Sequence, residues 1–164
     1  MRKLYFITMN KISFEVIIEE EKEFPENNRE TWNIGIEAIL DNQKIYSYKH
    51  FPVNILELLR SKDKNDIFYI FTCSCGIPEC GGIDPIIVKH RNGTTFWTFK
   101  KSNLEFDQEE YRINIDLLVN NFLDSYDLLK TEKFEISMYP GIFSELENYE
   151  DTISKLRSLN LYNI

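Results

Sequence analysis

The cysteines of this chain, Cys73, Cys75 and Cys80, fall within eight consecutive positions of the stretch FTCSCGIPECGG, residues 71–82. Thiolates are soft donors. A cluster of this kind can hold a zinc ion, run thiol–disulfide chemistry, or pack as small apolar groups in a turn. The spacing is C-x-C-x4-C. Structural zinc sites take four ligands, often from two separated C-x2-C knuckles, and this segment offers three. His90 is a tempting fourth. A regular strand over Ile83–Lys89 would carry it about 20 Å away, at ~3.3 Å per residue, to a place beside Asn92-Gly93. His50 reaches the cluster only through folding that the sequence does not specify. Glu79 or Asp84 could add an oxygen, although Cys3Asp is a less usual donor set.

Redox chemistry is less well served. A redox dithiol normally reads C-x-x-C at a helix start, where the dipole lowers a thiol pKa. Here the cysteines follow one strand-like run and precede another. No Lys or Arg lies between Phe71 and Pro85, and Glu79 and Asp84 oppose a thiolate. The residues by themselves favour a turn between two core strands. Cys73 and Cys75, two apart on a strand end, would face the same way. Gly76, Pro78, Gly81 and Gly82 would make the connection. On that reading no cofactor is expected. A zinc-binding module or thiol-dependent enzyme centred on Cys73, Cys75 and Cys80 is the alternative.

The elements that would position these residues follow from periodicity. Lys3–Met9 and Ile12–Glu20 read as two strands, paired through Asn10-Lys11. Thr31–Leu40 alternates, with Trp32, Ile34, Ile36, Ala38 and Leu40 on one face, and Asp41-Asn42-Gln43 turns it into Lys44–Tyr48. After Pro52 the period becomes helical, with Val53, Leu56, Leu59 and Ile55, Leu58 fitting a helical face, ended by Ser61-Lys62-Asp63-Lys64-Asn65. Ile67–Thr72 is a continuous apolar run, predicted as a central strand, and Ile83–Lys89 as another. Asn92-Gly93 is a strong hairpin signal before a returning strand over Thr94–Lys100. Tyr111–Ile115 alternates as a short strand, and Asp116 caps a helix over Leu117–Lys130. Phe134–Tyr139 is strand-like, and Pro140-Gly141 breaks the chain. Ser144–Leu159 is a last amphipathic helix, with Ser144 and Glu147 in capping-box spacing. The expected architecture is one α+β domain over 1–164. It has a mainly antiparallel sheet and about three helices, one after Pro52 and two in the C-terminal third.

Composition narrows the partners. The formal net charge is −8 and the pI is about 4.9. Such a surface repels nucleic-acid phosphates and suits a basic protein partner. The two acidic groups offered to such a partner are Glu19, Glu20, Glu21 and Glu23, and Asp107, Glu109 and Glu110. Leu4–Met9 is too short for a signal-peptide core, and no apolar stretch approaches the ~18–20 residues of a membrane span. An odd number of clustered cysteines is a poor disulfide framework, so the expectation is a cytoplasmic protein with reduced thiols. No GxGxxG, GxxxxGK[ST], HExxH or GxSxG motif occurs, so no catalytic residue is expected.

The stretch IFYIFTCSCGIPECGGIDPIIVKHRNGTTFWTF, Ile67–Phe99, resembles a signature of small uncharacterised bacterial proteins. In these a strand runs into CxCGxxxCGG, then a strand, a tight turn and a Trp-bearing strand. That resemblance implies a fold element and no chemistry. By general character, acidic and α+β, the chain also resembles immunity proteins of contact-dependent inhibition and polymorphic toxin systems. This second resemblance implies a cytosolic protein that binds a cognate toxin, which the charge expects to be basic and nuclease-like. It implies no nucleic-acid or membrane partner.

Overall fold

The computed structural model describes residues 9–21, 31–77, 80–138, 142 and 149–161. Its architecture is α+β, with mostly antiparallel strands. The first sheet is built on strand β2, Thr31–Leu40, which pairs along its length with β1, Ile12–Glu21. A two-residue turn at Asp41-Asn42, both at positive φ, returns the chain as β3, Gln43–Lys44. Strand β8, Glu135–Met138, lies parallel to the start of β2. The second sheet is antiparallel, in the order β4 (Asp66–Phe68), β5 (Ile86–Arg91), β6 (Thr94–Phe99), β7 (Ser102–Asp107). Three helices complete the fold: α1 (Ile55–Ser61), α2 (Gln108–Thr131) and α3 (Tyr149–Leu161).

Helix α2 is the shared spine. It packs on β1 and β8 of one sheet, on β6 and β7 of the other, and on α1 and α3. Its buried stripe runs Tyr111, Ile115, Leu118, Phe122, Tyr126 and Leu129, steps of three and four that keep one face inward. The buried side chains of both sheets and all three helices form one hydrophobic cluster. Within it, the Trp97 indole N–H donates to the Tyr111 hydroxyl at 3.2 Å. The Tyr111 and Ser61 hydroxyls are 2.6 Å apart, and Ser61 donates to the Leu58 carbonyl. Burial holds the Tyr111 hydroxyl well above its ordinary pKa, so it stays neutral as a link in this relay.

Several expectations change. The strand expected over Lys3–Met9 lies outside the described residues except Met9, and β1 pairs with β2. Asn10 instead joins the second sheet, where its N–H donates to the Glu105 carbonyl at 2.7 Å. Lys44–Tyr48 is not a strand beyond Lys44, because the chain turns and folds Tyr48 over β2. Ile67–Thr72 is not a central strand. β4 ends at Phe68, on the sheet edge, and Phe71 forms an isolated bridge with Val53. Tyr111–Ile115 is helical and Asp116 is no cap. The cap is Asp107, whose carboxylate accepts from the Glu110 N–H at 2.8 Å. Asp116 sits mid-helix and pairs with the buried Lys62. Strand β7 was not expected. Its turn uses Lys100 and Lys101, both at positive φ, and the Lys100 ammonium lies 4.5 Å from the centre of the Tyr46 ring. The capping pair expected at Ser144 and Glu147 lies outside the described residues.

Strand β2 is buried on both faces at its centre. Ile34, Ile36 and Ala38 face the core, while Gly35 lies beneath the Tyr48 ring, where an added methyl would overlap the aromatic carbons. Gly35→Ala is expected to destabilise the fold by about 2–3 kcal/mol, the upper part of the usual overpacking range. A double-mutant cycle checks this, because the same change in a Tyr48→Ala background should cost much less. Equal costs in both backgrounds would refute the steric account.

Candidate metal centre

The site begins where Ile67–Thr72 fails to remain a strand. After Phe68 the chain leaves the sheet and residues 70–74 run antiparallel to 50–54. The Asn54 N–H donates to the Ile70 carbonyl at 2.7 Å, Thr72 to Pro52 at 3.2 Å and Ser74 to His50 at 3.2 Å. This short ladder is anchored at one end by α1, whose N-cap Asn54 is fully buried and accepts from the Leu56 and Glu57 N–H groups. At the other end the chain turns sharply. The Gly76 N–H donates to the Cys73 carbonyl at 3.0 Å, and Gly76 takes a positive φ of 79°. A single 3-10 turn, Cys80–Gly82, then leads into β5.

These turns bring the sulfurs of Cys73, Cys75 and Cys80 within 4.8 Å of one another. Cys73 and Cys75 are joined as a disulfide, with Cα atoms 5.3 Å apart, and Cys80 is a free thiol. The expectation of three reduced thiols is therefore not met in this structure. The single intervening residue and the turn at Ser74-Cys75 suffice to bring the two sulfurs together. Cys73 packs into the hydrophobic cluster, Cys80 lies partly against it, and Cys75 is exposed. The inward packing expected of all three thus holds for Cys73 and in part for Cys80. The Cys75 N–H points at the Cys73 sulfur at 3.3 Å. An amide aimed at a sulfur stabilises negative charge on it.

In their reduced state three such thiols could converge on one ion. Tetrahedral zinc with Zn–S of about 2.3 Å sets sulfurs about 3.8 Å apart, inside the observed limit. Among the described residues no carboxylate or imidazole joins the group. Asp84 is therefore outside it, and Glu79 lies outside the described residues. His90 is excluded by its own bonds. Its Nε2 is 2.9 Å from the Ser61 carbonyl and so carries the proton, leaving Nδ1 to accept from the Thr95 hydroxyl at 2.9 Å. It sits towards the far end of β5, as the strand-length argument expects. His50, unplaced by the sequence, has its backbone opposite Ser74, between two of the three cysteines.

No known protein family, curated protein or solved structure matches this chain.

The acidic residues do not form one site. Glu19 and Glu20 lie at the end of β1, and the Glu19 carboxylate is 2.8 Å from the Lys49 ammonium. Lys49, and then the Tyr48 hydroxyl, hold the Glu19 carboxyl below the ordinary range. The Glu21 side chain and Glu23 lie outside what is described. Asp107 caps α2, and Glu109 and Glu110 lie in its first turn, where negative charge also favours the helix dipole. Asn114 of α2 donates to the Ile12 carbonyl at the other end of β1. Seven residues of strand, about 23 Å, separate the two groups. Two grooves on the outer face of the second sheet are bordered by cations: Lys100 and Lys101 beside Ile67 and Ile87, and Lys89 and Arg91 beside Phe96.

Proposed function

We propose that this chain is a zinc-binding domain in which Cys73, Cys75 and Cys80 supply thiolate ligands. One observation carries the reading: three sulfurs from within eight positions of the chain lie within 4.8 Å of one another, with a backbone N–H aimed at one of them. The metal would clasp residues 73–82 where they link the ladder before α1 to β5 of the second sheet. Cys73 and Cys75 must first be reduced. A dithiol supplies the two electrons, is itself oxidised to a disulfide, and leaves two thiols whose protons depart as the metal binds. A reducing compartment, such as the cytoplasm, would hold the protein in that state.

Titration of the reduced protein with Co(II) tests this directly. Thiolate-to-metal charge-transfer bands should rise to a plateau at one equivalent. No band, or a response at several equivalents without a plateau, would reject the site.

A second reading, partner binding of the toxin-neutralising kind, is favoured by charge. Glu20, Glu109 and Glu110 are exposed and make no ion pair among the described residues. They would meet the cations of a basic, nuclease-like toxin, and opposite charge would speed the encounter. Since the two acidic groups stand far apart, one of them would carry the interface. Reversing Glu109 and Glu110 to lysine, and separately Glu20, should slow association with such a toxin at least about tenfold in one case. Unchanged rates and salt dependence in both would remove this reading.

A further inference from the structure

We infer that His50 is the fourth ligand of the metal centre, an assignment that rests on the zinc reading and completes it. Zinc held structurally wants four protein donors, and the turn supplies three. The chain has three cysteines and two histidines, and both ring nitrogens of His90 are already engaged elsewhere. His50 remains as the nitrogen donor.

Its position comes from the backbone. In the ladder of 50–54 with 70–74, the bonds pair Asn54 with Ile70, Pro52 with Thr72 and His50 with Ser74. Opposed residues at such positions have Cα atoms about 5.5 Å apart. His50 therefore stands across from the residue that separates Cys73 from Cys75. A flat ladder would send His50 to the face opposite the two cysteines. Neither strand is flat here. The His50 and Phe51 N–H groups both donate to the Ser47 carbonyl, closing a turn, and Ser74-Cys75 begins the next one. The ring is not within the sulfur group in this structure, in which Cys73 and Cys75 are oxidised. The His50 side chain is exposed, so it can rotate toward the sulfurs once they are thiolates.

The consequence is a clasp between segments that the sequence separates by more than twenty residues. Metal binding would tie the turn before α1 to the cysteine loop, and the site would be closed rather than open to a substrate.

Co(II) titration of the full-length, reduced protein tests this with two variants. His50→Ala should weaken Co(II) binding about 10–100-fold and shift the d–d bands toward three sulfurs plus water. His50→Cys should keep tight binding and raise the charge-transfer intensity to that of four thiolates. His50 is exposed, so neither change should disturb the fold. If the wild-type chain binds one Co(II) through three thiolates while His50→Ala leaves affinity and spectrum unchanged, His50 is not a ligand and the zinc reading survives. If the wild-type chain binds none, both fall.

Discussion

Trp97→Ala is expected to cost about 3–5 kcal/mol of stability, close to the whole margin of an ordinary domain. Trp97 is fully buried. Its ring meets Phe106 and Tyr111 edge-on, at 5.3 and 5.8 Å between centroids. Removing it opens a cavity where β6, β7 and α2 converge. It also deletes the indole N–H that the Tyr111 hydroxyl accepts, at a site where water cannot replace it. Trp97→Phe should cost less, since it keeps most of the volume and loses the donor. Urea unfolding followed by circular dichroism measures both. A loss below about 1 kcal/mol for the alanine variant would contradict the placement of this residue at the centre of the core.

Cys80→Ser is expected to weaken zinc binding by at least about 100-fold, since even outer partners of a ligand are worth 10–100-fold. The effect should also appear as stability. At free zinc about 100 times the Kd, the reduced wild-type chain gains about 2.7 kcal/mol, equivalent to roughly 5–10 °C in Tm for a protein of this size. The variant should lose that increment and unfold alike with and without zinc. Affinity should fall as pH drops, because the ligands must shed protons before they bind. A zinc-dependent rise in Tm equal to that of the wild type would show that Cys80 holds no metal.

Where the sequence could be read, its local chemistry was unambiguous. Thr31–Leu40 has one alternation and one solution, and Asn92-Gly93 takes the positive φ angles its turn requires, 52° and 76°. The errors lie where a short pattern fits two periods. Tyr111, Ile113 and Ile115 alternate like a strand, yet Tyr111 and Ile115 are also one helical turn apart. In α2 those two are buried while Ile113 is 49% exposed. In the run IFYIFT, Phe68, Ile70 and Phe71 are buried although only Phe68 lies in β4, so apolar character could not say where the strand stops. Lys100-Lys101 carries no turn residue by type. The Lys100 ammonium lies over the Tyr46 ring, distant in sequence, and over the ring of its neighbour Phe99.

The candidate site divides in the same way. The three cysteines and the poor placement of His90 were legible from spacing. The nearness of His50 was not, because it depends on a ladder between residues 50–54 and 70–74 that replaces the expected continuation of β4. The acidic groups were legible as charge and not as surface. Their separation and the Lys49 partner of Glu19 are tertiary facts, while the capping role of Asp107 is local and was hidden by reading Tyr111–Ile115 as a strand.

The most direct test is the metal content of the wild-type chain, purified under reducing conditions without added metal or chelator and measured by elemental analysis against protein concentration. The account predicts about one zinc per chain, and next to none in Cys80→Ser prepared in parallel. A wild-type chain that carries no zinc, and takes up none when zinc is supplied to the reduced protein, would contradict it.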